Sequence, residues 1–317
     1  MARRSMKAKI QPAVMKMNFT INQVDGGVTG DFNYIDLSQC VSIMNRRFYR
    51  QGLNWAVAGF KFITTGTGIV GVNKLPNTWV MGNAWEKTFR AWQKQQKEVL
   101  EDGNQESIKA KFNDFKIFAS GDHLTKGVAN NLLPIDSRFN TAAAGEWDMS
   151  QIVIPNFGSP GTNYEPYLIA VGPNVGGAGG AYSLVELYAK SRSVPQSPDP
   201  SVPGDVLGSS NILNLMFDDG DNNTDVLANA SGKNNRLPYP VADYPGGDTQ
   251  LPGLEIHDTE FVTSTTVGGT THLDGGNFPC GLIEINTAFP TDTVIRVELT
   301  LVPGSHRGYL AESMTEM

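Results

Sequence analysis

Short apolar segments with a two-residue period recur from residue 17 to residue 302, while the clearest helical period is confined to one stretch. MNFTINQVD (17–25) alternates Met17, Phe19 and Ile21 against Asn18, Thr20 and Asn22. LNWAVAGFKFITT (53–65) reads as a long apolar-aromatic strand, and GTGIVGV leads on to another. Further strands are expected at 112–120, 151–157, 167–172, 254–267, 280–286 and 293–302. One more is expected at YSLVELYAKSR (182–192), where Val185, Leu187 and Ala189 alternate with Glu186, Tyr188 and Lys190. Parallel pairing needs a crossover after each strand, and most of these segments follow one another without a helix between. The pattern therefore predicts an all-β antiparallel sandwich or barrel of roughly eight to ten strands.

Two helices interrupt it. Trp85, Phe89, Trp92, Gln96 and Val99 form a stripe over 84–102, with Asn83 and Glu86 as a capping box and Gly103 as the stop. A shorter helix is expected within 35–52, with Ser38 as its N-cap and Gly52 as its end. The 34 glycines and 18 prolines fit strands joined by turns and long loops. Eight of the prolines fall in residues 193–253, which read as a long surface excursion carrying one short apolar run, NILNLMF (211–217).

Charge divides the chain lengthwise. Residues 1–130 carry 18 Lys/Arg against 10 Asp/Glu, whereas residues 131–317 carry 7 against 22. The net charge of −7 hides this division. Residues 1–16 hold Arg3, Arg4, Lys7, Lys9 and Lys16 with no acid, and read as a flexible arm suited to a polyanion. A nuclear-import signal is the competing reading of the same arm. Further on, Arg46, Arg47 and Arg50 cluster with Phe48 and Tyr49, a mixture that suits single-stranded nucleic acid because rings stack on bases while guanidiniums pair with phosphates. The plain alternative is a solvated helix end whose arginines answer the C-terminal dipole.

Other motifs lose to simpler readings. GTGIVG (66–71) matches a dinucleotide fingerprint, but VNKLP follows where a helix must open, so a strand-to-strand turn is expected. VGPNVGGAGG (171–180) lacks the Lys-Ser/Thr of a phosphate loop. Asp219, Asp221, Asn223 and Asp225 could offer oxygens to Ca²⁺, yet Thr224 stands where the calcium loop needs glycine, and Ala230 where it needs glutamate. His123, His257, His272 and His306 have no zinc spacing, and GSHRG is not a nucleophile elbow. No catalytic constellation emerges, so the chain is read as a non-enzyme without a required cofactor. Cys40 and Cys280 form no disulfide framework, which favours a reducing compartment and makes the sequons at Asn18, Asn222 and Asn229 chance matches. The basic start lacks the apolar stretch of a secretory signal, and no window approaches a membrane span.

Two stretches, LPNTWVMGNAWEKTFRAWQKQQ (75–96) and VELTLVPGSHRGYLAESM (297–314), together with the basic arm, resemble capsid proteins of circular Rep-encoding single-stranded DNA viruses, the circovirus-like group. The resemblance implies a single eight-stranded jelly-roll domain over 17–317 behind the arm of 1–16, with helices and excursions in its loops. It also implies a T=1 icosahedral shell of about 60 identical subunits. Such a virion component is made in the host cytoplasm, meets a host receptor and packages DNA without sequence preference. Five arm charges are few for that task, so Arg46, Arg47, Arg50 or divalent ions would share the neutralisation. The alternative is a cellular β-sandwich binding module, lectin-like or adhesive, with a chance basic start.

Overall fold

The computed structural model describes residues 13–24, 30–103, 114–155, 159, 162–176, 180–192, 229, 232, 253–263 and 266–317. Among the described residues, nine strands build two antiparallel sheets, five in one and four in the other: β1 (Lys16–Asn22), β2 (Asp31–Asp36), β3 (Leu53–Ile63), β4 (Gly68–Lys74), β5 (Glu255–Val262), β6 (Thr270–Phe278), β7 (Leu282–Ala288), β8 (Val294–Leu301) and β9 (Ala311–Ser313). One sheet runs β1-β8-β3-β6, with the short β9 also pairing with β3; the other runs β2-β7-β4-β5. The fold is an all-β antiparallel sandwich.

The period-two pattern places this core. Phe19, Trp55, Phe62, Ile285 and Val297 are fully buried between the sheets. In β3 the inward positions change phase, from Trp55 and Val57 to Phe60 and Phe62. A one-residue bulge at Ala58 absorbs the change, because Thr300 faces Gly59 while the next residue, Leu301, faces Val57. Gly275 lies across that bulge, where a Cβ would come within 2.3 Å of the Val57 carbonyl oxygen. The GTGIVG segment lies in the expected strand-to-strand connection, with Gly66 and Thr67 in the turn and Gly68 opening β4.

Between β4 and β5 the chain builds a second core on the outer face of the β2-β7-β4-β5 sheet. Its helix α2 (Trp79–Asp102) begins five residues before the expected start. Thr78, not Asn83, caps it, accepting from the Met81 amide at 3.4 Å. Burial of Val80, Met81 and Ala84 extends the apolar face toward the N-terminus, which an interior Asn83 exposed to solvent does not oppose. Gly103 does end the helix. At that end Val99 is exposed and Leu100 buried, so the neighbours, not the expected stripe, select the covered face.

The expected strand at 182–192 is mostly a helix. After a short helix α3 (Gly121–Lys126), Ala181–Ser183 pairs with Tyr167–Ile169 in parallel, and then α4 (Leu184–Arg192) begins. Its residues satisfy both periods: Leu184, Val185 and Tyr188 share a helical face, and Glu186 pairs with Lys190 one turn on. Packing against α2, where Lys87 donates to Ser191 Oγ at 2.6 Å and sits over the Tyr188 ring, favours the helix. Nor do the described parts of the strands expected at 112–120 and 151–157, residues 114–120 and 151–155, form full strands. Phe115, Ile117 and Ala119 point inward from an extended segment that bridges only at Phe118, and Ile154–Pro155 pairs briefly with Asn163–Tyr164. The excursion at 193–253 lies outside the described residues, apart from 229, 232 and 253.

Candidate nucleic-acid interface

The first helix orders the basic turn. α1 (Leu37–Asn45) is capped by Asp36, not Ser38; its carboxylate accepts from the Ser38 and Gln39 amides at 2.9 and 3.3 Å. The helix ends at Arg46, which takes the left-handed conformation (φ 52°), seven residues before β3 and well short of Gly52. The return loop is then fastened along the helix. Tyr49 N donates to Ser42 Oγ at 2.9 Å, and Ser38 Oγ donates to the Arg50 carbonyl at 3.3 Å. Tyr49 is fully buried among Trp55 and Tyr309, and its hydroxyl donates to the Arg307 carbonyl at 3.2 Å. With Tyr49 drawn inward as the anchor, Arg46, Arg47, Phe48 and Arg50 are left exposed.

The described chain begins beside this turn. Val14 donates its amide to Asn45 Oδ1 at 3.0 Å, and its carbonyl accepts from the Tyr309 hydroxyl at 2.7 Å. Asn45 precedes Arg46, so Val14 lies next to the Arg46–Arg47 pair, while Arg3, Arg4, Lys7 and Lys9 lie outside the described residues. Lys16 belongs to β1 and pairs with Glu298 at 2.7 Å; this hydrogen bond holds the Glu298 carboxyl below its ordinary range. Part of the Lys16 charge is thus answered within the sheet.

Next to the turn lies a cavity of about 510 Å³, bounded by residues 48–53, Trp85 and Phe89 of α2, Phe115, and the His306–Arg307 hairpin tip. Arg307 donates to the Phe48 carbonyl at 2.7 Å and lies 5.8 Å from the centre of the Tyr49 ring. Partial burial, and the Arg307 charge beside it, lower the His306 pKa from 6.5. The cavity's standing charge at neutral pH therefore comes from Arg50 and Arg307, and no carboxylate is among its lining residues. Behind Phe48, the Lys116 ammonium sits 4.4 Å from the Trp147 ring centre and pairs with Asp114.

Behind this surface, buried polar groups join the two cores. Asp36 accepts from Trp147 Nε1 at 2.9 Å and Gln51 Nε2 at 3.0 Å, while Gln51 Oε1 accepts from the Ile117 amide at 2.7 Å. Complete burial raises the Asp36 carboxyl to about 6, against the pull of those four donors. His123 Nδ1 accepts from the Ala119 amide at 3.1 Å, so its Nε2–H donates to Asn131 Oδ1 at 2.8 Å. Burial lowers this imidazole to about 4, and it stacks on Tyr34 at 4.3 Å. Its role here is to join β2 to the second core.

Asp219, Asp221, Asn223 and Asp225 lie outside the described residues, and among the described residues no group of three or more His, Cys, Asp or Glu is placed to hold a metal ion. Among those residues, too, no helix is long and apolar enough to cross a membrane. Arg307, Trp85 and Phe89 escaped the reading of the sequence as members of the basic surface. The adjacent His306–Arg307 pair carried the only local signal, and nothing in the sequence tied it to residues 48–50. No protein-family model, curated protein or solved structure matches the chain.

Proposed function

We propose that this chain is the jelly-roll capsid subunit of a circular Rep-encoding single-stranded DNA virus, assembling into an icosahedral shell that packages the genome without sequence preference. The observation that carries the reading is the strand order. Pairs β1·β8, β2·β7, β3·β6 and β4·β5 alternate between the two sheets, as they do when one long hairpin of eight strands is rolled up lengthwise. Val14 is held against Asn45 and Tyr309 beside Arg46 and Arg47, which supports packaging, since a basic arm leading into Val14 would add its cations to theirs. Exposed Ile256 and Phe261 on the edge strand β5 are suited to burial between subunits. Ca²⁺ at the acidic loop of 218–225 would need ligands from a second subunit.

The test is size and content. Purified protein should elute as a megadalton assembly with nucleic-acid absorbance. Deleting residues 1–12, which spares β1, should leave shells that carry less nucleic acid. A monomer or small oligomer at every salt concentration would sink the capsid reading and favour a cellular binding module.

A further inference from the structure

The cavity beside the basic turn has a composition that selects its ligand. Two arginines and three phenylalanines line it, with no carboxylate among the lining residues. Its volume falls within the roughly 300–1,000 Å³ typical of sites for small organic groups. Phe48 is exposed, and Phe89 stacks on Trp85 with ring centres 5.0 Å apart. Trp85, 5% exposed, contributes to the apolar wall, and its indole N–H is shielded and finds no acceptor among the described residues. The wall depends on Gly52 (φ 101°), where a Cβ would lie 2.2 Å from Trp85 Cζ2, so only bare backbone lets the indole sit there.

We infer that this cavity takes one nucleotide of the bound single strand, its base against the Phe48 and Phe89 rings and its phosphate on Arg50. This rests on the packaging reading and goes beyond it, because a charged arm alone would hold only the backbone. Rings accept any base, so the pocket adds affinity without sequence preference. Arg50 supplies the phosphate contact because Arg307 is already committed in part to the Phe48 carbonyl. With Arg46 and Arg47 on the same return loop, the pocket would fix where the strand crosses the subunit.

The experiment is fluorescence anisotropy of a labelled oligothymidylate, about ten nucleotides long, against the purified full-length chain over a range of salt. Arg50→Gln and Phe48→Ala should each weaken binding about tenfold with unchanged melting temperatures. Arg50→Gln should also reduce the salt slope by about one, whereas Phe48→Ala should leave it alone. Thymidine monophosphate should compete only at far higher concentrations than the oligonucleotide. Native-like binding by both folded variants would overturn the pocket while leaving packaging by the arm intact. If the wild-type chain fails to bind the oligonucleotide, both readings fall. A monophosphate that binds as tightly as the oligonucleotide would overturn the strand assignment in favour of a free nucleotide.

Discussion

The two cores of this molecule are stabilised by different means. Between the sheets, backbone groups satisfy one another through long regular ladders, and the side chains that meet there are almost all apolar. In the second core, α2, α4 and irregular segments leave backbone groups without ladder partners. Single buried side chains serve them instead: Gln51 for Ile117, His123 for Ala119, and Ser150 for Lys116. A ladder shares its load over many residues, whereas the second core hangs on individual polar groups. The basic turn and its cavity lie at the seam, held from one side by Tyr49 and Tyr309 and from the other by Trp85 and Phe115.

The largest expected effect tests whether the cores respond separately. Trp55 is fully buried between Tyr49 and Tyr309, and Trp55→Ala should lower stability by about 3–5 kcal/mol in urea titration. Because every ladder of its sheet is engaged, the loss should appear across the molecule. Trp92→Ala removes a comparable ring from α2, where it packs on Phe115. Hydrogen exchange should then accelerate in α2 and α4 while β1 and β8 stay protected. Equal loss of protection in both regions would mean that the molecule has one cooperative core.

The second effect sharpens the comparison through pH. His123 falls from 6.5 to about 4 on folding, so its contribution is intact above 6.5 and erodes as pH drops toward 4. At 1.36 kcal/mol for each pH unit, the loss is about 3 kcal/mol. Asp36 rises from 3.8 to about 6, so its penalty is full above 6 and fades as pH drops toward 3.8, a gain of similar size. The two nearly cancel over that window. Relative to wild type, His123→Gln should therefore become more stable as pH falls from 6.5 to 4, and Asp36→Asn less stable. Parallel stability curves for all three proteins would remove the pair from the pH response.

The smallest effect concerns the outer face of the ladder. Lys16 and Glu298 pair in solvent, so Lys16→Gln should change stability by no more than about 1 kcal/mol. A larger change, measured by thermal melting at low and high salt, would mean that β1 depends on this pair as the second core depends on its polar groups.

Legibility followed the same division. β1, β3, β7 and β8 lie where their alternation put them, within three residues at each end, because period two and burial on one face are local properties. The second core was misread where a segment fits two periods, as at 184–192, or where an extended run buries alternate residues without joining a ladder, as at 114–119. Caps failed for a similar reason. Asp36 and Thr78 displaced Ser38 and Asn83 because packing extended each helix past its expected start.

The strand-rich class and the exposed arginines at 46, 47 and 50 were legible in the sequence, as was the basic composition ahead of β1, since charge and periodicity are written residue by residue. Only the tertiary structure decided that Val14 lies against Asn45 and Tyr309, and that Arg50, Trp85 and Arg307 border one cavity. Those residues are far apart along the chain, and each looks ordinary among its sequence neighbours. What joins them is the pairing of β1 with β8 and the return of the chain after β8, through Tyr309, to the end of α1, a closure that no local pattern encodes.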